Sequence, residues 1–92
     1  MRMDAKERTL VNVEKILEHT HPPLTERQNI HPGDRVQVMF NDSTFTTVWV
    51  LIYAVCSFQY VGRVFTPTTH NRMDIQLEPH HILAIVRGKD YT

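Results

Sequence analysis

Six histidines and one cysteine are the groups in this 92-residue chain whose chemistry has to be weighed first. His19 and His21 stand two apart, His80 and His81 are adjacent, and His31 and His70 stand alone. No pair has the i,i+4 spacing that sets two imidazoles on one helix face, and no cysteine pair joins them, whereas zinc takes three or four ligands at defined spacing. Adjacent histidines on a turn do not readily face one ion. His19, His21 and His31, grouped around one connector, are the ligands to expect if a metal binds; the plainer expectation is surface and turn histidines and no cofactor. Cys56 would need a neighbouring base and a lowered pKa to act as a nucleophile, and its sequence neighbours supply neither. There is no glycine-rich phosphate loop, no Ser/His/Asp spacing and no paired-carboxylate motif, and only three glycines in all. The expectation is a protein that is not an enzyme, with no catalytic residue.

Nucleic acid is the next chemistry to test. Tyr53, Phe58, Tyr60 and Arg63 lie near one another in the chain, as aromatic platforms and basic residues do on small barrels that bind single strands. Tyr60 would stack on a base and Arg63, Arg72 and Arg87 would contact phosphates. Charge argues against this reading: ten Lys and Arg balance ten Asp and Glu. From residue 30 onward Arg35, Arg63, Arg72, Arg87 and Lys89 still meet Asp34, Asp42, Asp74, Glu78 and Asp90, so no part of the chain is a basic arm. Low net charge also weakens self-repulsion and makes association with a second copy easier.

The element that must position any of these groups is the stretch TTVWVLIYAV, residues 46–55. Side chains two apart on a strand share a face. Val48, Val50, Ile52 and Ala54 make one apolar face, and Trp49, Leu51, Tyr53 and Val55 make the other, so both faces call for cover. One face fills a core. The other, with Trp49, Leu51 and Tyr53, calls for the N-terminal helix, a second subunit or another protein, since Trp and Tyr on one patch are typical interface anchors.

Around this strand the chain reads as a single domain over residues 1–92. Residues 4–19 have helical spacing, with Asp4 and Glu7 at capping-box distance and Leu10, Val13, Ile16 and Leu17 on one stripe. Leu10, Val13 and Leu17 are the side chains expected to dock that helix on the open face or on a second copy. Pro22 and Pro23 end the helix, and residues 20–33 form a connector in which residues 24–28 suit a short helical turn. Pro32-Gly33 suits a type II turn. The β part spans residues 34–87, with strands expected over 34–40, 45–55, 58–65, 73–77 and 82–87. Gly62 inside the third strand predicts a bulge or a close backbone approach. Residues 78–81 suit one turn of 3₁₀ helix, and residues 88–92 form a polar tail.

An N-terminal helix followed by five strands, with a Pro-Gly-Asp turn before the first, a long second strand and a short turn at Glu78-Pro79-His80-His81 before the last, resembles an SH3-like small β-barrel. The segments GDRVQVMF, VWV, YVGRV and HHIL also resemble a bacterial domain family of similar size, from which no active site carries over. The resemblance covers residues 34–87 and implies a mainly β, α+β fold: a strongly bent antiparallel sheet or a small barrel. It does not imply proline-peptide binding, because there is no acidic first loop and Trp49 lies in mid-strand.

The single cysteine makes no internal disulfide, and the N-terminus has no apolar run of the secretory kind, so a cytoplasmic location is expected. The longest apolar run, residues 48–56, is far short of the roughly 20 residues needed to span a bilayer as a helix, so no membrane partner is expected. The sequence as a whole predicts a small binding or assembly module that acts through protein contacts and self-associates as a homo-oligomer.

Overall fold

The computed structural model describes residues 10–15, 21–41, 44–65 and 73–88. Five strands, β1 Arg35–Met39, β2 Thr47–Cys56, β3 Gln59–Phe65, β4 Asp74–Leu77 and β5 Ala84–Val86, form one antiparallel sheet in the order β4-β3-β2-β1-β5. A single helical turn, α1 Leu24–Arg27, precedes the sheet, and 3₁₀ turns occupy Val13–Lys15 and Pro79–His81. The protein is mainly β. No helix among the described residues is long and apolar enough to cross a membrane.

The alternation read from the sequence sets the inner face. Val36 and Val38 of β1, Val48, Val50 and Ile52 of β2, Tyr60 of β3 and Leu77 of β4 are buried, and Ile30, Phe40 and Ile82 close the same cluster. Each fully buried aliphatic side chain stabilises the fold by about 1.5–3 kcal/mol relative to exposure, so this one face holds the sheet together. Pro32-Gly33 turns the chain into β1 with Gly33 at φ 100°, a conformation that favours glycine. The Gly33 N–H donates to the Ile52 carbonyl at 2.8 Å, which ties the turn to β2.

Two contacts shape the long strand. Gly62 lies opposite Ile52, and a Cβ there would strike Val50 Cγ1 and come within 2.6 Å of the Leu51 carbonyl oxygen. The expected close approach is thus present at Gly62. The register of β2 on β3 shifts between Ile52 and Ala54, so Tyr53 sits at a bulge. Past that point Ala54, Val55 and Cys56 are all exposed. The β2–β3 hairpin therefore runs beyond the core, and the double apolar face is not covered on both sides by the described residues. Ser57 turns the hairpin with φ 57°.

Two expectations need correction. Residues 10–15, within the expected helix over 4–19, are not α-helical: Leu10 bridges Phe40 and the Val11 N–H donates to the Met39 carbonyl at 2.9 Å. Asn12 Oδ1 accepts the Glu14 N–H at 3.0 Å, a local bond that competes with helix and favours the 3₁₀ turn. Residues 4–9 and 16–19 lie outside the described residues. The sheet is also not a closed barrel, because β4 and β5 stand at opposite edges with no pairing between them among the described residues.

Candidate functional site

The outer face of the sheet is built by the register. Val86, Arg35, Leu51, Arg63 and Asp74 lie side by side across the five strands, and Ala84, Gln37, Trp49 and Phe65 form the next row. Directly paired residues share a face, and the buried valines on either side of these positions point inward. Trp49 is half-buried, whereas Leu51 (38%), Tyr53 (48%) and Phe65 (53%) are exposed. The Arg35 guanidinium lies over the Phe65 ring, 4.7 Å from its centroid, a cation–π contact. Arg35, Trp49, Phe65 and Val86 together line a shallow depression of about 180 Å³.

A polar triad borders this patch. The Tyr53 hydroxyl donates to Asp74 Oδ2 at 2.9 Å, and Arg63 Nε donates to Asp74 Oδ1 at 3.1 Å. The bond from Tyr53, then that from Arg63, holds the Asp74 carboxyl below its ordinary value, and accepting that proton raises the Tyr53 phenol above its own. Aromatic rings, a leucine and two guanidiniums beside one carboxylate make a surface suited to apolar protein contact with a polar rim.

A second polar cluster lies at the base of the sheet and is structural. Asp34 is buried; its carboxylate accepts the Gly88 and His31 N–H groups at 2.8 and 2.9 Å and Arg87 Nη1 at 3.1 Å. Burial pushes this carboxyl up, but the two backbone bonds and Arg87 outweigh it, and the net shift is downward. Arg87 also donates to the Asn29 carbonyl at 2.6 Å and to Glu26 Oε1 at 2.7 Å. Arg27, also buried, donates to the Pro22 and Pro79 carbonyls at 2.8 and 3.1 Å and to Glu14 at 3.0 Å.

The predicted residues separate accordingly. Trp49, Leu51 and Tyr53 do share the outer face. Leu10 packs on the inner core and Val13 is 1% exposed, so neither covers that face; Leu17 lies outside the described residues. Of the nucleic-acid set, Tyr60 is core, 1% exposed, and no stacking platform. The Arg87 donors are taken up by the chain's own oxygens, Arg63 pairs with Asp74, and Arg72 lies outside the described residues. His21 is half-buried and His31 exposed, while His19 lies outside the described residues. Among the described residues no three His, Cys, Asp or Glu side chains converge as a metal set.

Phe65 and Arg35 were missed as site residues. Their signal was available: Phe65 closes FQYVGRVF on the face opposite Tyr60 and Gly62, and Arg35 opens RVQVM on the face opposite Val36 and Val38. Compared with known protein families, with curated proteins and with solved structures, the chain matches none.

Proposed function

We propose that this domain has the strand order of an SH3-like fold, as an open, bent sheet, and is a protein-binding, self-assembling module in function, without catalytic activity. Support for the topology comes from the strand order β4-β3-β2-β1-β5, the long bent β2 and the 3₁₀ turn at Pro79–His81 between β4 and β5. The observation that carries the function is the outer-face run Trp49, Leu51 and Tyr53 along β2, joined by Phe65, with Leu51, Tyr53 and Phe65 at least 38% exposed. Exposed apolar side chains gathered along one strand are the mark of an interaction surface. A second copy is the partner favoured by a net charge of zero, which offers no long-range repulsion between copies.

Light scattering on the whole chain at two protein concentrations and two salt concentrations tests this. The expected result is an oligomer whose mass is insensitive to salt and which dissociates in Leu51→Glu, a change placed beside Arg35 and Arg63 and so tolerated by the fold. A monomer under all conditions overturns the self-assembly reading. Salt-sensitive retention on single-stranded DNA or RNA would instead favour the nucleic-acid alternative, because phosphate contacts release counterions.

A further inference from the structure

At the end of β2 the backbone edge facing away from β3 is unpaired among the described residues. β1 pairs with β2 only as far as Leu51, and the last bonds on that side are those of Gly33 and Asp34 to Ile52. Beyond the bulge, Ala54, Val55 and Cys56 continue the ladder with β3 opposite Val61, Tyr60 and Gln59. On their other side no described residue pairs with them. All three are exposed, as are Ser57 and Phe58.

Natural edge strands are guarded by charges, by proline or by covering loops. Residues 48–58, VWVLIYAVCSF, contain neither a charged side chain nor a proline. The bulge at Tyr53 bends the strand, yet it lies before the open segment, and the three residues after it return to regular pairing with β3. An antiparallel strand pair formed by the same segment of two copies is two-fold symmetric by construction, so the edge is its own complement.

We infer that two copies of this chain join edge to edge, the Ala54–Cys56 segments of β2 pairing antiparallel about a two-fold axis at Val55. In that register Ala54 of each copy lies opposite Cys56 of the other, and Tyr53 lies opposite Ser57, next to Phe58. The β2–β3 hairpins of the two copies then lie side by side, with the outer faces of both copies on the same side. The inference rests on the self-assembly reading and gives it a seam.

The test uses the full chain, wild type and Val55→Lys. Lysine at an exposed position leaves the fold in place, which circular dichroism and the melting temperature check, and it sets two like charges against each other at the axis. The wild type is expected at twice the mass of one chain and Val55→Lys at the mass of one. A short bis-maleimide is expected to link Cys56 to Cys56 between wild-type copies and to lose most of that yield in Val55→Lys. A Val55→Lys protein that keeps its fold and remains dimeric overturns the edge-to-edge seam while leaving self-assembly through the outer face in place. A wild-type monomer at every concentration overturns both.

Discussion

The Tyr60 hydroxyl, buried beneath the sheet, donates to the Arg27 backbone carbonyl at 2.8 Å and so pins the one-turn helix α1 to β3 across 33 residues of sequence. Arg27 completes the pin with its own side chain, reaching Pro22, Glu14 and Pro79. A short helix that could not persist alone is held in place by this pair of residues.

Tyr60→Phe therefore leaves a buried carbonyl without its donor while keeping the ring in the core. Loss of about 1–3 kcal/mol is expected from urea denaturation, with an unchanged slope. Burial also raises the Tyr60 phenol above its ordinary value, so the neutral donor persists throughout the neutral range.

Gly62→Ala places a methyl group 2.6 Å from the Leu51 carbonyl oxygen and against Val50. Backbone on β2 must move to relieve it, and β2 is held by strands on both sides. The expected cost is about 1–3 kcal/mol, typical of overpacking, read as a lower denaturation midpoint.

The Asp34 carboxyl is held below its ordinary value of 3.8 by the Gly88, His31 and Arg87 donors. Its folded pKa is below its unfolded one, so its stabilisation is complete above the unfolded value and is lost as pH falls through the folded one. Asp34→Asn is expected to be less stable at pH 7 and to lose less than wild type on acidification below about pH 4, measured as melting temperature against pH.

His81 gives a second, separate pH window. Its Nδ1 accepts the Glu78 N–H at 3.0 Å, and burial first, then neighbouring His80, push its pKa from 6.5 down to about 4. The unfolded chain binds the proton at a higher pH than the folded one, so stability is greatest above 6.5 and falls as pH drops from 6.5 toward 4. Glutamine is the usual neutral partner at this capping-box position. His81→Gln is expected to fold and to flatten the stability profile between these two values; an unchanged profile would place the titration elsewhere.

Much of the sheet is legible in the residues themselves. RVQVM and DIQL alternate apolar and polar residues and the TVWVLIYAVC run is apolar on both faces, patterns that follow locally from the two-residue period of a strand. The Pro32-Gly33 turn, the helical turn before it and the 3₁₀ turn before β5 are equally local, set by proline and by positive φ at glycine. The shared outer face of Trp49, Leu51 and Tyr53 follows from the same period of two.

What only the tertiary structure decided is whatever depends on distant partners. Leu10 and Val13 have helical spacing, yet Leu10 finds Phe40 and the core, and pairing with a formed strand outweighs the weak preference of a short stripe. Tyr60 and Phe65 belong to the same strand, and nothing in their type says which is core and which lies under Arg35; the register with β2 and β4 does. The burial of Arg27 and Asp34 runs against their polarity and is possible only because carbonyls and N–H groups from remote segments converge on them. The bulge at Tyr53 likewise arises from the register between β2 and β3 and is written in neither one alone.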